Sequence, residues 1–105
     1  MLDTAGFVDL RGYLKRRIAY ARYRVGSSTW HEVTLSGIDI LNSGIVRARL
    51  NINSGGSAIT VRRVELYNTD RELFAHQDCN ITVTAGQTGI LFWFDFNITE
   101  SEVNT

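Results

Sequence analysis

From Ile18 onward the chain alternates apolar and polar positions with period two, and that rhythm predicts β-strands. In Ile18–Val25, Ala19, Ala21, Tyr23 and Val25 share one face, and Ile18, Tyr20, Arg22 and Arg24 share the other. A turn at Gly26-Ser27-Ser28 leads into Trp30–Leu35, where His31, Val33 and Leu35 alternate against Trp30, Glu32 and Thr34. Ile38–Leu41 is a short strand ended by Asn42-Ser43-Gly44. Ile45–Asn53 then places Val46, Ala48, Leu50 and Ile52 inward and Arg47, Arg49, Asn51 and Asn53 outward. After the loop Ser54-Gly55-Gly56-Ser57, the strand Ile59–Tyr67 changes phase: Ile59 and Val61 are odd, Val64 and Leu66 even. A β-bulge at Arg62-Arg63 absorbs that slip. Leu73–Asp78 and Asn80–Thr84 follow as two further strands, and Ala85–Gly89 is the last turn.

The final strand, Ile90–Ile98, carries the strongest pattern. Ile90, Phe92, Phe94, Phe96 and Ile98 lie on one face, while Leu91 and Trp93 make the other face apolar too. Burying the phenylalanine face stabilises by on the order of 10 kcal/mol before chain entropy is counted. With that face buried, this strand is expected to be central. Its second face is covered either by the N-terminal segment or by another chain.

Ahead of the strands, residues 4–16 read as a helix. Thr4 stands at the capping position and Lys15-Arg16-Arg17 at the end where cations suit the helix dipole. Phe7, Leu10 and Leu14 form its apolar stripe, although Gly6 and Gly12 each weaken it by about 1 kcal/mol relative to Ala. A short helix followed by seven or eight short strands predicts an all-β fold, an antiparallel β-sandwich. The 105 residues form one domain: 1–17 helix and lead-in, the strands, and a short polar tail at 99–105.

Composition narrows the function classes. No run of about 18 apolar residues occurs, and Met1-Leu2-Asp3-Thr4 lacks a basic stretch before an apolar one, so neither a membrane span nor a secretory leader is expected. The two Asn-x-Thr sequons, at Asn80 and Asn97, therefore carry no message about glycosylation. Cys79, the single cysteine, has no disulfide partner within the chain. No HxH, CxxC or GxSxG spacing appears, so no metal site and no cofactor is assigned. His76 and Cys79 point to opposite faces of a strand, as do His31 and Glu32. Asp95 is read as a solvent-facing or arginine-paired group. Catalytic residues are assigned nowhere, and the chain is read as non-enzymatic.

The formal net charge of zero conceals an asymmetry. Residues 1–64 hold ten basic against four acidic side chains, a net of +6; residues 65–105 hold one against seven, a net of −6. Interleaved strands mix these charges into a balanced surface, whereas segregated ones give two poles suited to head-to-tail or ring association. Ten of the eleven basic residues are arginine, the cation that pairs bidentately with carboxylate or phosphate. Arg22 and Arg24 share a face with Tyr20, and Arg47 and Arg49 line a face of another strand. If those strands are neighbours, four guanidinium groups form one stripe, as in single-strand nucleic-acid binders. Overall neutrality argues against phosphate as the partner. A carbohydrate platform of Tyr20, Trp30 or Trp93 is the other ligand-binding alternative.

The segments Leu14–Val25, Gly26 to Trp30, Val64-Glu65-Leu66-Tyr67-Asn68 and Gly89–Ile98 resemble small proteins encoded in the tail modules of prophages of Gram-positive bacteria. The resemblance runs through most of the chain in order and consists of strand residues rather than a catalytic motif. It implies a virion accessory or tail-fibre-associated protein, cytoplasmic when expressed from a prophage and in the virion once assembled. Its expected partners are itself, as a homo-oligomer, or other virion proteins. The expected interface is Leu91 and Trp93 as apolar anchors, with Arg22, Arg24, Arg47 and Arg49 as ion-pairing groups. The alternative ligand site is Tyr20, Trp30, Arg22 and Arg24.

Overall fold

The computed structural model describes residues 4–53, 56–85 and 89–97. A helix, α1 (Thr4–Arg17), is followed by β1 (Ile18–Val25), β2 (Thr29–Thr34), β3 (Gly37–Ile40), β4 (Ile45–Ile52), β5 (Ile59–Asn68), β6 (Leu73–Val83) and β7 (Ile90–Asn97). The strands form two antiparallel sheets, one of four strands in the order β2-β1-β5-β6 and one of three in the order β3-β4-β7. This is the expected all-β, sandwich-like architecture. The turn at Gly86–Thr88, the loop residues Ser54 and Gly55, Ile98 and the tail at 99–105 lie outside the described residues.

The core forms where the two inner faces meet. Ala48, Leu50 and Ile52 of β4 and Phe94 of β7 pack against Ala21 and Tyr23 of β1, Val61, Val64 and Leu66 of β5, and Val83 of β6. The alternation along β4 is thus obeyed, its even positions fully buried and its arginines outward. The phase change in β5 is real. Arg24 pairs with Arg63 but Val25 with Val61, so Arg62 is the extra residue of a bulge, and inward positions switch from Val61 to Val64 and Leu66. A second irregularity near the start of β1 makes Ala19 the extra residue there. Ile18 turns inward as a result, opposite to the simple alternation.

Three further expectations are corrected, and one open alternative is decided. Residues 73–78 and 80–84 are one continuous strand, β6, because an irregularity in the pairing between Asp78 and Ile81 takes up the phase change without breaking the strand. Among the described strands β7 is an edge strand, not a central one; its neighbour there is β4. Along α1, Phe7 is buried and Leu14 half-buried, but Leu10 is exposed, so the docked face runs through Phe7 and Leu14 without it. The helix packs against β1, β3 and β4 and leaves Leu91 and Trp93 uncovered. Its C-terminus is fixed instead: Thr69 N–H donates to Arg17 O at 3.0 Å, and the Arg17 guanidinium donates to Thr69 and, at 2.8 Å, to Asp70.

Candidate functional site

The described residues enclose no cavity, and the charged and aromatic side chains line the two outer faces. On the four-stranded sheet, antiparallel register aligns Glu32, Arg22, Glu65 and His76 in one row and Trp30, Arg24, Arg63 and Asp78 in the next. Glu65 is the hub. It is 5% exposed and accepts hydrogen bonds from Arg22 Nε at 2.7 Å, Tyr67 Oη at 2.6 Å and Arg63 Nε at 2.9 Å. Burial pushes its carboxyl up, but those three donors outweigh burial and hold it below the ordinary carboxylate range. Tyr67 is pushed up by burial and by donating to Glu65.

Around that hub runs a ladder of cations and rings. Arg71 sits 4.7 Å from the centroid of Tyr20, and Tyr20 stacks on Tyr67 at 5.1 Å and 6°. Arg22 lies 5.1 Å from Tyr67 and 4.1 Å from Trp30, and Arg24 lies 5.8 Å from Trp30. Each such contact stabilises by about 0.5–1 kcal/mol at an exposed site. Arg71 takes a left-handed backbone angle, φ 62°, in a turn where Asn68 Oδ1 accepts from the N–H groups of Asp70 and Glu72. Tyr20, Trp30, Arg22 and Arg24 are therefore brought together as the alternative ligand site requires. Trp30 contacts Arg22 and Arg24, while Tyr20 and Arg22 are also engaged by Tyr67, Arg71 and Glu65.

The outer face of the three-stranded sheet is built differently. Arg47 makes a bidentate pair with Asp95, at 2.7 and 2.9 Å, and its guanidinium lies 4.9 Å from the Trp93 ring. That hydrogen-bonded guanidinium holds the Asp95 carboxyl below its ordinary value. Arg49 Nε lies 2.9 Å from Asp39 Oδ2, an ion contact off the N–H axis, and its guanidinium spreads over Gly37, where a Cβ would come within 2.5 Å. Two cations and two carboxylates thus neutralise one another. Beside them Trp93 stays 45% and Leu91 48% exposed.

The single stripe of four guanidinium groups does not exist. β1 and β4 belong to different sheets, so Arg22 and Arg24 lie on one outer face and Arg47 and Arg49 on the other. Among the described residues, antiparallel pairing crosses the basic and acidic halves rather than separating them: Arg17 with Asp70, Arg22 with Glu65, Arg63 with Asp78, Arg47 with Asp95. As ion-pairing anchors, Arg22, Arg47 and Arg49 are already taken up within the fold. Arg24 faces Arg63 across the strand pair, and its Nε is out of water with no hydrogen-bond partner among the described residues.

His76 faces outward opposite Glu65, while Cys79 is half-buried with its Sγ 3.5 Å from Val61 O. Burial and then the neighbouring Asp78 push the thiol up, away from reactivity. Among the described residues no group of three His, Cys, Asp or Glu side chains is placed to hold a metal ion, and no helix is long and apolar enough to cross a membrane. Periodicity missed Glu65, Arg63 and Tyr67 as a unit. The legible signal was Arg62-Arg63-Val64-Glu65-Leu66-Tyr67, where polar groups of both signs alternate with core residues. The chain matches no protein-family model, no curated protein and no solved structure, and the two outer faces are what a functional reading has to rest on.

Proposed function

We propose that this domain is a non-enzymatic association module, a structural or tail-accessory component of a phage or prophage particle, that docks through the outer face of β7. The observation that supports this most is the pair Leu91 and Trp93, half-exposed side by side on an edge strand whose opposite face fills the core. Tryptophan beside an arginine-bearing rim is the composition of an interface centre. The charges around it are paired internally, so the docking is apolar and its strength resists salt. In a prophage setting the chain resides in the cytoplasm until assembly carries it into the particle.

Size-exclusion chromatography with light scattering, at low and high salt, tests this reading. The expected result is a defined oligomer at both salts, reduced to monomer by Leu91→Ser with Trp93→Ser while thermal unfolding is preserved. A monomer at every concentration would contradict it. That outcome would favour the second reading, a carbohydrate or single-stranded nucleic-acid module. Its support is the placement of Tyr20, Trp30, Arg22 and Arg24 on one face, with the Arg24 Nε left without a hydrogen-bond partner among the described residues.

A further inference from the structure

The four sheet edges are not equally protected. β3 has only four residues. β2 carries exposed His31 and Glu32. β6 has two register irregularities against β5 and presents His76, Gln77, Asp78 and Asn80. Short length, charge and bulges are the devices by which edges avoid pairing with another chain. β7 has none of them. It runs eight residues in unbroken register with β4, and its single charge, Asp95, is neutralised by Arg47. Along its far side, its N–H and C=O groups have no strand partner among the described residues. At the same margin the inner face is incompletely buried: Phe96 meets Phe74 of β6 edge-on at 5.7 Å, and Phe74 remains 38% exposed.

Resting on the association reading above, we propose that the partner is a second copy of this chain and that β7 pairs antiparallel with β7 of that copy about a two-fold axis at Phe94. The two three-stranded sheets then become one six-stranded sheet. Residues opposite one another in an antiparallel pair share a face, which restricts the axis to a residue position. Centring on Asp95 would set two carboxylates opposite each other, which is unfavourable. Centring on Trp93 would set Asp95 against Leu91 of the other copy. Centring on Phe94 sets Asp95 opposite Trp93 of the other copy, next to the Arg47 that covers that ring. The internal Asp95–Arg47 pair of each copy stays intact with no carboxylate set against another, and Phe92 lies across from Phe96 above the exposed Phe74. A two-fold interface requires this kind of self-complementarity.

Two measurements test the pairing. In a Cys79→Ser background, a Trp93→Cys chain mixed with an Asp95→Cys chain under mild oxidation should give the mixed 93–95 disulfide in excess of either like-with-like product. On the unsubstituted protein, hydrogen exchange across a dilution series should show β7 amides slowed at least tenfold in the associated state, with β6 amides unchanged. A dimer in which neither β7 nor β6 amides are slowed would overturn edge pairing while leaving the apolar-face reading standing; protection of β6 instead would overturn both. Monomer throughout would overturn both, and an oligomer other than a dimer would overturn the two-fold arrangement.

Discussion

The two outer faces of this sandwich use the same residue types to opposite ends. On the four-stranded sheet, Arg22 is held between Trp30 and Tyr67 while its Nε binds buried Glu65, so cation, rings and carboxylate satisfy one another. On the three-stranded sheet, Arg47 binds Asp95 and covers Trp93 from one side, but nothing among the described residues covers the rest of Trp93 or Leu91. Both rings lie on edge strands, Trp30 on β2 and Trp93 on β7, so the difference comes from their cover. Trp30 carries two guanidinium groups, Arg22 and Arg24, whereas Trp93 carries Arg47 among the described residues and stays 45% exposed. Arginine and tryptophan in proximity therefore do not mark a binding surface; the ring left half-exposed does.

The largest effect that would separate the faces is removal of the hub. Glu65→Ala leaves Arg22, Arg63 and Tyr67 without their common acceptor, and is expected to cost about 3 kcal/mol in chemical denaturation, because one member of a largely buried charge network is lost. Association should survive wherever the chain is folded. The reverse substitution pair, Leu91→Ser with Trp93→Ser, should weaken self-association by roughly 100-fold or more yet leave monomer stability within about 0.5 kcal/mol.

Charge reversal sharpens the contrast within one face. Arg22→Glu sets a new carboxylate against Glu32 and Glu65 and is expected to destabilise by about 2 kcal/mol. Arg24→Glu, opposite Arg63, should be neutral or stabilise by about 0.5 kcal/mol, since it replaces a like-charge pair with an opposite one. Equal losses from the two substitutions, read from urea midpoints, would mean that the ladder and not the ion-pair row dominates this face.

The pH dependence is smaller and has a definite sign. The Glu65 and Asp95 carboxyls lie below their ordinary values in the fold, so their contribution is complete above the unfolded carboxylate range, about 4. It disappears as pH falls through the lower folded values. Acid titration of the unfolding free energy should therefore decline below about pH 4, and Glu65→Gln should flatten that decline. The smallest effect concerns Cys79, which should react with a thiol reagent in the folded chain far more slowly than in denaturant.

Much of this arrangement was legible in the residue pattern, and the failures have a physical reason. Alternation assigned the inward and outward sides of β4 and β7, and the slip at Arg62-Arg63 announced the bulge, because side-chain direction along a strand is a local property. Strand order is not. The phenylalanine face made β7 look central, and the cover of Leu91 and Trp93 stayed open, since an apolar side chain reads the same whether its cover comes from its own fold or from another molecule. Arg22, Arg24, Arg47 and Arg49 looked like one stripe because nothing along the chain says which strands are neighbours. The Glu65 hub draws its donors from Arg22, 43 positions away, as well as from Arg63 and Tyr67. Only the first of these needed the register of β1 against β5.

Trp30 and Trp93 place one natural fluorophore on each outer face. Single-tryptophan chains, Trp93→Phe reporting Trp30 and Trp30→Phe reporting Trp93, can be followed by acrylamide quenching across a dilution series. With the four-stranded face closed on itself and the three-stranded face open to a partner, Trp30 quenching should stay constant, whereas Trp93 should become more readily quenched on dilution as the oligomer separates. Constant, ready quenching of Trp93 at every concentration, or a dilution response at Trp30 instead, would contradict the assignment of docking to β7.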